Sequence, residues 1–303
     1  MRERTVHVDG PINVLEVPGP PDGPTFVCVH GLGGHHASFL SIARLLSARG
    51  RVLALDLPGS GRSPLAGRRT SMSALRLALD RFCEATDATP AILVGNSMGG
   101  ALSIMQAAMR PEAVAGLVLI SPAVPRPITA PLERRLALTF GTSVIPGVGE
   151  LAYRRRLARL GPEEHAAALL ELCTVDPRRV PDEIIESGLA IARERRGMDD
   201  AAAAFLQATR SLVGLLARRS AFARMVARVE APTLILAGRQ DRLVPLVAIQ
   251  ALAAARPDWR LEILDDVGHI AMAEVPDRTM ALIEGWLDAG TAETPGVAPG
   301  VSG

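Results

Sequence analysis

Short apolar runs alternate with amphipathic stretches through the first 125 residues. Thr25–Val29, Arg51–Leu55, Ala91–Val94 and Leu117–Ile120 are unbroken or nearly unbroken apolar runs. Runs of this kind suit parallel strands buried on both faces. Between them Ser38–Ala48, Ser71–Ala85 and Met98–Met109 carry a helical pattern, and the last stops at Pro111, which cannot continue a helix. Strand alternating with helix predicts βαβ units and an α/β fold around a mostly parallel sheet.

From residue 124 to residue 229 the strand-like runs vanish. Long stretches rich in Ala, Leu and Arg take their place, broken at Pro146-Gly147, Gly161-Pro162, Pro177, Pro181 and Gly197. Glu163 and Glu164, and again Asp199 and Asp200, stand where first helical turns would begin, and the helix dipole favours acids there. This segment is expected to be a helical insertion. The strand–helix rhythm returns with Thr233–Ala237, Trp259–Leu264 and a helix over Asp277–Leu287. Residues 1–123 and 230–289 therefore form the expected α/β core, 124–229 a helical cap, and the aperiodic residues 290–303 a disordered tail.

Composition narrows the chemistry. The 303 residues include 33 basic and 32 acidic side chains, and every basic one is arginine. With no lysine there is no Schiff-base lysine, no Walker A lysine and no Ser-Lys dyad. Coding bias toward arginine explains the substitution without a functional reason. A net charge of +1 gives no cause to expect nucleic acid or an anionic membrane as partner. Met1–Gly10 does not read as a secretory signal, and no run approaches the ~20 apolar residues of a membrane span. Cys28, Cys83 and Cys173 are far apart and set among apolar residues, so they read as free buried thiols of a cytoplasmic protein. No His-Glu-x-x-His or Cys-x-x-Cys spacing occurs, and neither a metal nor an organic cofactor is expected.

Gly95-Asn96-Ser97-Met98-Gly99 lies between a strand run and a helical pattern. That context suits a nucleophile elbow, in which serine occupies a strained strand-to-helix turn. The helix's first N–H groups and positive dipole end face the same space. A serine hydroxyl needs a base within reach, and the base needs a partner to fix its tautomer. Asp241 follows the run Thr233–Ala237, and His269 follows Leu261–Leu264. Both thus fall near the carboxyl ends of parallel strands, where α/β sheets place ligand sites. Asp265 and Asp266 compete with Asp241 but precede His269 too closely to orient it. Ser121 stands directly after Leu117–Ile120, so no carboxylate follows that strand run at once.

With these segments the chain resembles the α/β-hydrolase fold superfamily, specifically serine hydrolases with a helical cap, over roughly Thr5–Ala289. The landmarks run in family order: His30-Gly31-Leu32-Gly33-Gly34, then Asp56-Leu57-Pro58-Gly59-Ser60-Gly61-Arg62-Ser63, then the elbow, then Gly238–Arg242 and Gly268-His269. The resemblance implies Ser97 as nucleophile, His269 as base and Asp241 as acid, with the N–H groups of Leu32 and Met98 as oxyanion hole. It implies that Asp56 organises its turn and that His30 fixes the oxyanion loop. His36, Phe140 and Phe205 are expected at the substrate pocket, and Arg154-Arg155-Arg156 on a solvated face.

Haloalkane dehalogenases and epoxide hydrolases of this fold carry aspartate at the nucleophile position, which Ser97 disfavours. The expected substrate is a small carboxylic ester, lactone or thioester with an apolar acyl group. A carbon–carbon hydrolase of ring-cleavage products is the sharper alternative, although His269-Ile270-Ala271-Met272 lacks the tryptophan often found there. A slow-turnover ligand receptor on the same fold is a third reading.

Overall fold

The computed structural model describes residues 1–127, 145, 147–196, 198 and 200–292, apart from the side chains of 153, 154, 156–158, 162, 291 and 292. Its centre is an eight-stranded sheet in the order β1-β2-β4-β3-β5-β6-β7-β8. The strands are β1 (Arg2–His7), β2 (Pro11–Val17), β3 (Thr25–Val29), β4 (Arg51–Leu55), β5 (Ala91–Asn96), β6 (Val114–Ile120), β7 (Thr233–Gly238) and β8 (Arg260–Leu264). The pairs from β4 and β3 through to β8 are parallel. β2 runs antiparallel to β4, and β1 antiparallel to β2.

The unbroken apolar runs have a physical cause in the two faces of this sheet. Along β3, Val27 and Val29 face one apolar core while Phe26 and Cys28 face the other. Along β5, Leu93 faces the first core, and Ile92 and Val94 the second. Alternate side chains point to opposite faces of a strand, so every position must be apolar when helices cover both. Helices α2 (Met72–Ala85) and α3 (Met98–Met109) contribute to the first core, and α1 (Leu40–Leu46) to the second. Ser71 caps α2, its hydroxyl accepting from the Ala74 N–H at 3.3 Å.

The β1-β2 hairpin was not among the expected elements. It turns through Asp9 and Gly10, which have φ of 48° and 129°. The helix Leu246–Ala255 was not expected either, since its sequence is apolar on all sides and gives no amphipathic period. The carboxyl-terminal helix runs Pro276–Ala292, two residues past the expected start of the tail; residues 293–303 lie outside the described residues.

Between β6 and β7 the described chain is helical: Val148–Arg159, Pro162–Cys173, Asp182–Arg195, Ala201–Ala217 and Arg219–Val226. These helices meet the loops at the carboxyl ends of the strands. A Cβ built on Gly33 after β3 would lie 3.2 Å from Phe205, one on Gly59 after β4 2.7 Å from Ala204, and one on Gly268 after β8 2.6 Å from the Cys173 carbonyl. Thr70 Oγ1 donates to the Ala204 carbonyl at 2.7 Å, and the Met72 N–H donates to Ser211 Oγ at 2.9 Å. Among the described residues no helix is long and apolar enough to cross a membrane.

Candidate active site

Ser97 sits between β5 and α3 with φ 54° and ψ −118°. A non-glycine residue persists in such a conformation only where its surroundings enforce it. Here the Ser97 N–H donates to the Ile120 carbonyl at 3.1 Å, and its carbonyl accepts from Ala123 at 2.8 Å and Ala101 at 3.2 Å. The flanking glycines are required by space. A Cβ on Gly99 would lie 1.9 Å from the Val29 carbonyl oxygen, and one on Gly95 2.6 Å from both the Gly99 carbonyl oxygen and Ser103 Oγ. The turn is thus packed against β3 and α3, with the Ser97 side chain half-buried above it.

His269 follows β8 and is 4% exposed. Its Nδ1 lies 2.7 Å from Asp241 Oδ2. Asp241 follows β7, and its other oxygen accepts from the N–H groups of Leu243 at 2.8 Å and Val244 at 2.9 Å. Burial opposes ionisation of Asp241. The His269 charge and hydrogen bond, with the two N–H groups, outweigh it and hold the carboxyl below the usual range. An ionised Asp241 accepts only, so Nδ1 carries the proton and Nε2 is left as the basic nitrogen.

Asp265 and Asp266 point elsewhere. Asp265 takes a hydrogen bond from Arg239 at 2.6 Å, and Asp266 pairs with Arg179 at 3.1 Å and Arg278 at 2.7 Å. Ser121, after β6, is buried.

The loop after β3 comes up against the elbow. A Cβ on Gly31 would be 3.0 Å from Ser97 Cβ, which places Leu32 beside the serine turn. Met98 opens α3, where the first N–H groups of a helix lack an intrahelical acceptor. His30 fixes this loop: its Nδ1 donates to the Gly31 carbonyl at 2.7 Å, and its Nε2 accepts the Leu57 N–H at 3.0 Å. That pattern belongs to neutral imidazole, and burial lowers the His30 pKa accordingly. Phe205 packs its ring against the same loop at Gly33.

His36 is not where a pocket residue should be. It is 2% exposed, with its N–H donating to Asp56 Oδ1 at 2.7 Å and its Nδ1 2.9 Å from Asp56 Oδ2. Its backbone and ring are drawn to a fully buried carboxylate that also accepts from Asn13 Nδ2 at 3.0 Å and the Arg62 N–H at 2.8 Å. Burial opposes ionisation of Asp56, yet the His36 hydrogen bond and charge, with the Arg62 N–H, hold its pKa far below the usual range. Phe140 lies outside the described residues, as do the side chains of Arg154 and Arg156; Arg155 is exposed.

Two side chains at the site escaped the sequence reading. Asn96 Nδ2 donates to the carbonyl oxygens of Ile120 at 3.1 Å and His269 at 3.0 Å. It stands inside the elbow string, whose pattern leaves its identity open. Glu274, with a fully buried side chain, accepts from the N–H groups of Gly268 at 2.9 Å, Val175 at 2.9 Å and Asp176 at 3.2 Å.

The sheet order, the glycine-flanked turn and the loop arrangement define a class, the α/β hydrolases. The model of the alpha/beta hydrolase fold matches residues 24–276, and the chain belongs to this family. Among curated proteins it is 28% identical to the magnesium-chelatase 30 kDa subunit of Rhodobacter capsulatus, over 92% of each chain. It is 25% identical to the human monoacylglycerol lipase ABHD6, covering 86% of this chain and 74% of that one. Among solved structures it is similar to a lipase from Acinetobacter baumannii AYE, with a TM-score of 0.77 and 21% identity, covering 97% of this chain and 93% of the other. A membrane phospholipase A superposes with a TM-score of 0.71 at 27% identity, covering 97% of this chain and 87% of the other.

Proposed function

We propose that the protein is a serine hydrolase that cleaves a carboxylic ester through an acyl-enzyme on Ser97. The observation that carries this reading is the pairing of a strained serine turn at the head of α3 with a buried His269 held 2.7 Å from Asp241. His269 Nε2 takes the hydroxyl proton as Ser97 Oγ attacks the carbonyl carbon. The N–H groups of Leu32 and Met98 receive the developing oxyanion. One such donor typically contributes ~3–4 kcal/mol to the transition state. His269 then passes its proton to the leaving alcohol, and water attacks the acyl-enzyme with His269 again as base. The family match and the lipase relatives support hydrolysis as the reaction class.

The inserted helices between β6 and β7 act in this reading as a cap over the strand ends. Phe205 places an aromatic face beside the oxyanion loop, which favours an apolar acyl group over a charged one. A panel of esters of graded chain length, lactones and vinylogous 1,5-diketones tests the reading. Hydrolysis of the esters at multiple turnovers supports it. Selective cleavage of the diketones reassigns the reaction to carbon–carbon hydrolysis, and a single stalled adduct with no turnover reassigns it to ligand binding.

A further inference from the structure

A glutamate outside the Ser97, His269 and Asp241 group holds the loop that carries the base. The backbone of His269 is pinned on two sides. Its carbonyl accepts from Asn96 of the elbow, and its N–H donates to the Cys173 carbonyl at 2.7 Å, at the end of the cap helix Pro162–Cys173. The cap thus touches the peptide of the base directly.

Glu274 is the clamp behind that contact. Its Oε2 takes the N–H of Gly268, the residue before His269, and its Oε1 takes the N–H groups of Val175 and Asp176, just after Cys173. One buried carboxylate therefore spans the base loop and the cap, and both oxygens act as acceptors. A buried carboxylate in water-poor surroundings is costly unless such donors surround it. Two arginines reinforce the seam. Arg179 Nη1 donates to the Asp266 carbonyl at 2.8 Å and lies 3.9 Å from Glu274 Oε1. Arg242, next to Asp241, donates to the Glu171 carbonyl at 2.8 Å. Gly268 has no room for a side chain here, since its Cβ would fall 2.6 Å from the Cys173 carbonyl oxygen.

We propose that Glu274 is a positioning residue that locks cap residues 173–176 to the loop of His269, so that the base is aligned only while this part of the cap is seated. The cap stretch is then part of the frame of the site, in addition to any role in covering substrate. The proposal rests on the serine-hydrolase reading of Ser97 and His269.

Glu274→Gln tests it. The amide keeps the shape but turns a donor toward one set of N–H groups, so one side of the clamp must open. Folded Glu274→Gln should show kcat lowered roughly 10- to 100-fold with KM changed little, because misplacement of the base affects the reacting geometry. The downfield proton resonance of His269 Nδ1–H bonded to Asp241 should shift or broaden in the same variant. Unchanged kcat and an unchanged resonance in folded protein would overturn the proposal. If Glu274→Gln does not fold, Arg179→Met is read in the same two ways. It loosens the seam at a half-exposed position and should lower kcat several-fold with the resonance broadened; wild-type values for both would overturn the proposal. Ser97→Ala is run alongside. Turnover by that variant means the serine reading itself has failed, whereas an inert Ser97→Ala beside an unaffected Glu274→Gln removes the clamp alone.

Discussion

Asp241 and His269 share a hydrogen bond of 2.7 Å although 28 residues separate them, and the second oxygen of Asp241 is held by the N–H groups of Leu243 and Val244. The aspartate is thus fixed by its own loop before it meets the histidine. Asp241→Asn keeps the shape but favours the wrong tautomer of His269, and should lower kcat by about 10⁴. Asp265→Asn, on the exposed side of the same loop cluster, should stay within about two-fold of wild type, as expected of surface substitutions away from such features. Steady-state kinetics of the two variants on one ester decide between them; the opposite ranking would reassign the acid.

Asp56 makes a prediction about stability. Its folded pKa is depressed, so its contribution is fully present above the ordinary carboxylate pKa of about 3.9 and is lost as pH falls through the folded value. Asp56→Asn puts an amide donor in place of one of the two oxygens that accept from His36, Asn13 and Arg62 in a fully buried site. A loss of about 3 kcal/mol is expected at pH 7. The gap between variant and wild type should narrow as the pH is lowered below 4. Denaturant titrations at pH 7 and pH 3 measure it.

Gly99→Ala should be poorly tolerated, because its Cβ would stand 1.9 Å from the Val29 carbonyl oxygen. The atoms it would meet are all backbone of Val29 and His30, with no flexible group to yield, and a cost of at least about 1–3 kcal/mol follows. Thermal melting of Gly99→Ala should show a clear drop in Tm. Gly67→Ala is no comparison for space alone, since φ there is 74°; Gly214→Ala, in a helix with open space around it, should melt near wild type.

The thiols should be unreactive in the folded protein. Burial raises the pKa of Cys28 strongly, burial with Asp80 and Glu84 pushes Cys83 up to about 12, and Cys173, half-buried where a buried thiol was expected, is pushed up to about 12 by desolvation and Asp241. The thiolate is the reactive form, so alkylation at pH 8 should be slow at all three positions until the chain is unfolded. Mass spectrometry after timed iodoacetamide treatment reads this directly.

Much of the sheet was legible because its strands are buried on both faces and therefore read as apolar runs. The elbow was legible because its backbone demands glycine at 95 and 99 for reasons of space. The hairpin of β1 and β2 was not, since β1 is mostly exposed and carries no apolar run, and Asn13 and Glu16 interrupt the run of β2. The helix Leu246–Ala255 was hidden by being apolar all round. The burial of His36 was not legible because the partner that draws it inward, Asp56, lies 20 residues away. Glu274 was invisible for a related reason: its partners are backbone N–H groups, one of them six residues earlier and two 98 and 99 residues earlier, and no side-chain pattern records them.

Acylation of Ser97 is the step on which the proposed hydrolysis depends. The protein is mixed with a p-nitrophenyl ester, quenched in acid within the first turnover, digested and analysed by mass spectrometry. An added acyl mass is expected on the peptide containing Ser97, formed in step with a burst of phenolate, with no adduct and kcat lowered by several orders of magnitude in Ser97→Ala. Wild-type turnover by Ser97→Ala, or an adduct on another residue that forms at the catalytic rate, would contradict it.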